Sequence, residues 1–288
     1  MAALIAWNDF VPGFGPFAAP VLTLVDDAGT PLTILQPLAC LSTPQLGDFM
    51  RAQMPPGVIY PIRLRATWPS AININFAALL NCNVPTAACS FGGTLATGPA
   101  LTTVPTGASS YDRLFFRHLF GYVAGGVTTT YVEWLFGPQF ELSPGVLGDI
   151  LEIGRLWIGR ALYLDSVTAG LQINWSTKFV DNAKSVSTPG GQSYGNEPQV
   201  LRQPTFSIQH APKSLVLQSS FGGSASDNNL TDWLASVGTS RECIFIPRLS
   251  LPIDVYQLNC YGKILEPTGP RHTTADHWNI DVTMREVF

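Results

Sequence analysis

The sequence predicts an all-β sandwich or barrel, and three observations support that prediction. Glycine and proline supply 26 and 23 of the 288 residues and are spread from end to end, which leaves little room for long helices. Between them lie short runs rich in valine, isoleucine, threonine and aromatic residues. Several of these runs alternate apolar and polar residues with a period of two, as half-buried strands do. Many such strands separated by turn signals are typical of a sandwich or barrel.

Nine runs are predicted to form strands. In chain order they cover residues 21–27, 57–68, 71–79, 156–164, 169–180, 205–210, 214–220, 241–247 and 255–265. Alternation is clearest in two of them, whose apolar sets are Ile72, Ile74 and Phe76 and then Leu171, Ile173 and Trp175. The asparagines and the glutamine between these positions are predicted to face the other way.

Three short helices are also predicted, over residues 43–54, 109–122 and 227–238. The first has Thr43 as its N-cap and Pro44 in its first turn, and the third ends at Gly238. Residues 187–199 are polar and rich in glycine and proline, which is typical of a loop. No linker is long enough to divide the chain, so residues 21–265 are predicted to form one domain, followed by a C-terminal extension over residues 266–288.

Residues 1–20 are predicted to form an extended N-terminal arm, because they hold several prolines and glycines. The arm carries four aromatic rings that must be buried on its own domain or on a neighbouring subunit, namely Trp7, Phe10, Phe14 and Phe17. These four residues are therefore the predicted contacts of the arm with other subunits.

Charged residues make up only 12% of the chain, about half of the usual share of roughly 25%. Such a chain is expected to hide much of its surface against partners. The alternative is a domain whose surface is solvated by uncharged polar residues. The net charge is -4 and the first basic residue is Arg51, so the sequence excludes a basic RNA-binding arm at the N-terminus.

The five cysteines are predicted to be reduced and buried, since their number is odd and their spacing is scattered. A disulfide between Cys82 and Cys89 stays open at this point. The opening MAALIAWNDF lacks the basic start of a signal peptide and reaches Asp9 too soon. No apolar run approaches the length of a membrane span.

The sequence contains no strong catalytic motif. The chain lacks a Gly-x-Ser-x-Gly elbow, a Walker loop and a dinucleotide fingerprint. His272 and His277 have weak zinc spacing, because the cysteines upstream of them are far apart in predicted strands. Asp149 and Glu152 have the residue types of a glycosidase pair, but a solvated loop explains both carboxylates more simply. The sequence therefore predicts no catalytic residue, no cofactor and no metal.

The segment YDRLFFRHLFGYVAGGVTTTYVEW (111–134) begins with a predicted helix rich in aromatic residues. A glycine pair and a long run of β-branched and aromatic residues follow. The segment resembles an element in the capsid proteins of picorna-like viruses, especially those of the insect dicistrovirus and iflavirus types. Three more segments follow the order of that family: QLGDFMRAQ (45–53), PTFSIQHAPKSLVL (204–217) and DVYQLNCYGKI (254–264). The family usually has an arginine just before the glycine, where this chain has Ala124.

The resemblance covers most of residues 45–265 and implies an eight-stranded jelly-roll β-sandwich. In that fold Gly125 and Gly126 are the predicted hinge from helix to strand, since glycine accepts a positive φ without strain. Arg63 and Arg65 are the candidate RNA contacts, and any contact with genomic RNA is expected to be weak and independent of sequence.

The predicted function is therefore that of a structural coat subunit and not of an enzyme. The resemblance implies assembly with related jelly-roll subunits into an icosahedral shell around an RNA genome, in the host-cell cytoplasm and then in the virion. Burial of large faces of low charge would drive that association. The sequence does not indicate the host receptor.

Two alternatives remain open. One is a carbohydrate-binding or carbohydrate-cleaving β-sandwich, for which Trp157, Trp175 and Trp233 are the candidate residues to line a cleft. The other is a phage tail or fibre protein, which also acts by assembly and would form a trimer or a ring in place of a shell.

Overall fold

A computed structural model describes residues 2–12, 18–96, 118–143, 146–165, 172–181, 185–187, 193–195, 200–217, 229–249, 255, 258–274 and 276–287. Within these ranges the chain is built almost entirely from β-strands, with two short α-helices and one 3-10 helix. The prediction of an all-β fold is therefore confirmed.

The strands are numbered in chain order. They are β1 (Ala2–Asp9), β2 (Val21–Val25), β3 (Thr33–Gln36), β4 (Met50–Gln53), β5 (Ile62–Cys82), β6 (Ala87–Phe91), β7 (Thr94–Leu95), β8 (His118–Phe136), β9 (Phe140–Ser143), β10 (Val146–Gly148), β11 (Ile150–Asp165), β12 (Gln172–Asp181), β13 (Ser185–Ser187), β14 (Ser193–Gly195), β15 (Val200–Pro212), β16 (Glu242–Ile246), β17 (Cys260–Pro267), β18 (Arg271–Thr274) and β19 (His277–Glu286). The helices are α1 (Lys213–Val216), α2 (Leu230–Val237) and the 3-10 helix (Leu38–Ser42).

Fifteen of the strands connect into one antiparallel sheet. Its main path runs β12–β15–β19–β17–β16–β1–β11–β5–β8–β6–β7, while β2 pairs with β5, β4 joins β3 to β11, and β18 pairs with β19. Two hairpins, β9–β10 and β13–β14, stand outside it. This connectivity does not confirm the finer prediction of eight strands in a jelly roll.

Two long strands bend so that the sheet folds over itself. The first part of β5 (62–67) pairs with the second part of β8 (131–136), and the last part of β5 (76–80) pairs with the first part of β8 (118–122). The two parts of β8 lie in facing layers: Trp134 pairs with Cys89 of β6, while a Cβ added to Gly121 would lie 2.6 Å from the Cys89 sulfur. The result is a sandwich whose two layers share the same strands.

The bend in β8 is made by the glycine pair. Gly125 and Gly126 have φ values of 79° and 77°, which fit the positive φ predicted for them. They lie in a bulge where the β5–β8 register shifts. The predicted helix-to-strand hinge is nevertheless wrong, because residues 118–122 are already strand. The rest of the predicted helix, residues 109–117, lies outside the described residues.

Both chain ends belong to the sheet, which corrects the predicted division into arm, domain and extension. β1 lies between β11 and β16, so residues 2–9 are an interior strand and not an extended arm. β19 lies between β15 and β17, so most of residues 266–288 is also interior. Residues 3–7 form a continuous apolar run that β1 buries on both faces, whereas β19 alternates and buries Ile280, Val282 and Met284.

The predicted third helix is confirmed. α2 begins after Asn229, whose side chain accepts a hydrogen bond from the Asp232 backbone N–H, and it ends at Gly238. The predicted helix over residues 43–54 is wrong: β4 lies there, and Met50 and Ala52 alternate into the core. The predicted strand over residues 214–220 is also wrong at its start, which is α1.

The apolar side chains form three clusters. The first fills the sandwich between the two parts of β5 and β8, together with β2, β4, β6 and β11. The second lies under α2, against one face of β1, β11, β12, β15, β16, β17 and β19. The third covers the opposite face of β1, β5, β11, β16 and β17. Strand β1 is therefore buried on both faces, since Ile5 belongs to the second cluster and Leu4 to the third.

Candidate interaction surfaces

The aromatic residues predicted for the arm do not form a surface for partners. Trp7 packs in the second apolar cluster and Phe10 in the first, and each side chain is only 3% exposed. Their prediction as subunit contacts is therefore wrong, because the chain already buries both rings in its own core. Phe14 and Phe17 lie outside the described residues.

A buried ion pair holds β1 against the centre of the sheet. The Arg155 guanidinium donates to the Asp9 carboxylate over 2.8 Å and also to the Tyr261 hydroxyl. Asp9 further accepts hydrogen bonds from the backbone N–H groups of Val11 and Ile158. Burial raises the pKa of the Tyr261 hydroxyl well above its usual value. The Arg155 guanidinium finds its partners Asp9 and Tyr261 inside the protein, so this cluster serves the fold.

The candidate RNA contacts Arg63 and Arg65 lie on a cluster of mixed charge. The Arg65 guanidinium donates to Glu133 over 2.6 Å and stacks on the Tyr131 ring at 4.8 Å. Arg63 pairs with Asp27 and lies 3.5 Å from Glu133. Phosphate would have to displace carboxylates that already neutralise both cations. RNA contact at these residues stays a prediction. Both Arg63 and Arg65 are already paired with carboxylates of the same chain.

The tryptophans predicted to line a carbohydrate cleft do not lie together on a surface. Trp157 and Trp233 are fully buried in different apolar clusters, so a sugar cannot stack on either ring. Trp175 on β12 is the only one of the three that is partly exposed. The proposed cleft is therefore wrong for Trp157 and Trp233.

The carboxylates Asp149 and Glu152 are each held by a neighbour on β4. Glu152 pairs with Arg51 over 2.7 Å, and Asp149 accepts a hydrogen bond from the Gln53 amide over 3.2 Å. Asp149 also lines an open groove of about 530 Å³ beside Tyr60. Partial burial, with a smaller contribution from Asp149, raises the pKa of the Tyr60 hydroxyl. The groove presents one carboxylate and one aromatic ring, and Glu152 does not line it.

The sulfur and imidazole groups do not assemble into a metal site within the described residues. His272 packs on the Trp278 ring at 4.8 Å, and His277 lies 3.2 Å from the Thr274 hydroxyl. All five cysteines are in the thiol form, so no disulfide joins Cys82 to Cys89. Burial raises the pKa of Cys243 to about 12, which leaves it an unreactive core thiol.

Several of the exposed apolar side chains lie instead at the edges of the sheet. On the outer strand β12 the Phe179 side chain is 54% exposed, and on the outer strand β3 Ile34 and Leu35 are 39% and 51% exposed. The alternation in residues 169–180 predicts β12 as a strand but does not predict that it lies at an edge, because strand order depends on long-range pairing. The one local signal was Phe179 beside Lys178, an aromatic residue next to a charge.

Within the described residues no helix combines the length and the apolar character needed to cross a membrane. No family model matches the chain, and no curated protein is significantly similar to it.

Proposed function

We propose that this chain is a structural subunit of a virus particle and that it acts by association with other subunits. Its main form would be a coat subunit that joins related chains in an icosahedral shell around an RNA genome, formed in the host-cell cytoplasm. The all-β sandwich and the ordered resemblance over residues 45–265 support this proposal. A jelly-roll ancestry belongs to the proposal too, since the sheet order leaves it open.

The observation that carries the proposal is the pairing of a charge-poor chain with exposed apolar residues on outer strands. Only 12% of the residues are charged, and several of these are used inside the fold, as in the buried pairs Arg155–Asp9 and Arg202–Glu286. Apolar side chains on outer strands β3 and β12 are then left to face solvent. Association that buries these strands removes an aggregation hazard and gives a defined interface.

The structure changes the expected mechanism of assembly. Trp7 and Phe10 are internal, so in this proposal the contacts between subunits come from the sheet edges and loops and not from residues 2–11. Arg63 and Arg65 are neutralised within the chain, so genome contact at this site would be weak at most. The proposal therefore places the function in contacts between proteins.

A phage tail or fibre subunit is the second candidate, and one observation favours it. Fifteen of the described strands connect into one sheet, whereas a jelly roll has two four-stranded sheets. A sheet with open edges is also suited to rings and tubes, in which each subunit extends the sheet of the next.

Material from the native source, separated on a sucrose gradient and viewed by electron microscopy, tests both candidates. Spherical shells that contain this chain beside partners of similar size support the coat subunit. Rings, tubes or trimers support the tail subunit instead. A discrete monomer at the top of the gradient contradicts both, and glycan binding near Trp175 would then be measured through tryptophan fluorescence.

A further inference from the structure

The outer strand β12 differs from the other outer strands of the sheet. It makes ten consecutive pairs with β15 without a register shift, and it has no other strand partner within the described residues. At about 3.3 Å per residue this edge is about 33 Å long. Its N–H and C=O groups on the outer side are a template for another strand.

The remaining outer strands carry features that discourage pairing. β7 has only two residues, and β3 has four residues with a bulge at Leu35. β18 is short, is interrupted by a bulge and begins with the exposed Arg271. β2 is followed by a turn that bridges Val25 to Pro31. Short length, bulges, charge and proline all protect edges, and β12 has a single charge, Lys178, and no proline or bulge over residues 172–180.

The side chains of β12 divide between its two faces. Ile173 points into the second apolar cluster and Trp175 packs against that cluster, so the odd-numbered residues share the core face. Phe179 lies on the same face four residues farther along the strand, where it is 54% exposed. The even-numbered residues Asn174, Ser176 and Lys178 are exposed on the other face. Phe179 therefore lies on the apolar face of β12 but outside the packed core of its own chain.

We propose that β12 pairs antiparallel with β12 of a second copy of this chain, about a twofold axis at Thr177. This inference rests on the proposed function, which requires contacts between subunits, and it names one of them. In this register residue i lies opposite residue 354 − i, so Trp175 of each copy faces Phe179 of the other. Both partly exposed aromatic rings then gain a cross-strand partner, and the core faces of the two copies lie on the same side of one continuous sheet.

The charges permit this register. Lys178 lies opposite Ser176 of the other copy, so no like charges are directly opposed. The two lysines are diagonal neighbours on the solvent face, at a distance where salt screens their repulsion. The association should therefore strengthen modestly when salt is added. A second copy also supplies the same apolar face and the same unpaired edge, so it is self-complementary in the way that a twofold contact requires.

Sedimentation velocity of the full chain over a range of concentrations tests the contact, with two matched lysine variants. Phe179→Lys puts a charge opposite Trp175 and should raise the dissociation constant of the dimer by about tenfold or more. Leu35→Lys makes the same kind of change at a similarly exposed position on β3 and should leave that constant unchanged. Circular dichroism checks that both variants keep the fold.

Disulfide trapping tests the register itself. In a Cys40→Ser background, Thr177→Cys places two thiols on one face at directly opposed positions, within the range of Cα separations that a disulfide spans. Oxidation should give a covalent dimer on a non-reducing gel. Ser176→Cys is the control, because its two copies lie diagonally and too far apart to join.

The outcomes separate this inference from the proposed function. If Phe179→Lys assembles like the wild type and Thr177→Cys does not cross-link, β12 is not the contact, and the proposed function stands on other surfaces. Weaker association of Phe179→Lys without a Thr177→Cys cross-link overturns the twofold register. A wild-type chain that stays monomeric in solution and forms no particle in its native source overturns both.

Discussion

Single residues tie the first strand to the centre of this sheet. Asp9, at the end of β1, receives hydrogen bonds from Arg155 and from two backbone N–H groups, and all of these atoms are removed from water. Burial lowers the pKa of the Arg155 guanidinium, but Asp9, Tyr261 and Glu242 together outweigh that effect and raise it. The 2.8 Å ion pair between Arg155 and Asp9 lies inside an apolar environment, where the loss of either partner is costly.

Removal of Arg155 should destabilise the protein strongly. Arg155→Met leaves the Asp9 carboxylate buried without its cation, and we expect the free energy of unfolding to fall by about 3–5 kcal/mol. Denaturant unfolding followed by tryptophan fluorescence measures this change. Arg271→Met breaks the exposed pair Arg271–Asp281 and should cost about 1 kcal/mol or less. Equal effects of the two variants would contradict the structural role assigned to Arg155.

The buried thiol Cys243 predicts a loss of stability at alkaline pH. Burial raises its pKa from 9.0 to about 12, so the folded state keeps the proton that the unfolded chain releases above about pH 9. This contribution to stability is complete below pH 9 and is lost as the pH rises from 9 toward 12. In Cys243→Ala the decline of the unfolding free energy above pH 9 should be shallower by about 1.4 kcal/mol per pH unit. An unchanged slope would show that the thiol is not protected in the folded state.

Among the structural elements, the long strands depend on local irregularities that let them serve two layers. At the β5 bulge the Asn75 side chain donates to the Ala161 carbonyl over 2.8 Å and accepts from the Ala161 N–H over 2.6 Å. Asn83 bonds Ile150 and Glu152 of the same strand β11 in a similar way. The Asn75 amide completes hydrogen bonds that the backbone ladder cannot make where the β5 register shifts, and the Asn83 amide does so just after β5 ends.

A close approach between β1 and β11 depends on Gly159. A Cβ added at this position would overlap the Asn8 carbonyl oxygen, at the bulge where β1 shifts register. We expect Gly159→Ala to lower the free energy of unfolding by about 3 kcal/mol, because backbone and not a flexible side chain must move. Gly47→Ala adds a Cβ that meets no atom within 4 Å and should change stability by less than about 0.5 kcal/mol. Thermal unfolding of the two variants compares them, and similar midpoints would contradict the close packing.

At the scale of the whole molecule, the two chain ends close the structure. β1 pairs with β11 and β16, and β19 pairs with β15 and β17, so each end joins strands that are distant in sequence. The buried pair Arg202–Glu286 fixes the end of β19 in the same way as Arg155–Asp9 fixes β1. The fold therefore depends on β1 and β19, although the predicted division placed them in an arm and in a C-terminal extension.

Deletion of residues 1–9 should therefore abolish the fold. It removes an interior strand, takes Ile5 and Trp7 out of the second core, and exposes edges of β11 and β16. We expect the truncated chain to be insoluble or to lack a cooperative unfolding transition in circular dichroism. A true extended arm would be dispensable for folding, so a soluble truncated chain with the wild-type midpoint would contradict the interior position of β1.

The sequence by itself determined the features that depend on neighbouring residues. The alternation of Ile173 and Trp175 with polar residues predicted β12. The helix predicted over residues 227–238 is α2, with its cap at Asn229 and its end at Gly238. The glycine pair 125–126 was predicted to need a positive φ. Each of these follows from side-chain periodicity or from backbone sterics within a few residues.

Only the tertiary structure decided which strands are interior and which are edges. The segment that holds Trp7 and Phe10 has the composition of an extended arm. Its strand β1 nevertheless pairs with strands about 150 and 240 residues away in the sequence. Pairing over such distances is set by the fit of faces and registers across the whole sheet, and no local pattern encodes it. The same physics left Phe179 exposed at the edge, where the candidate interface lies.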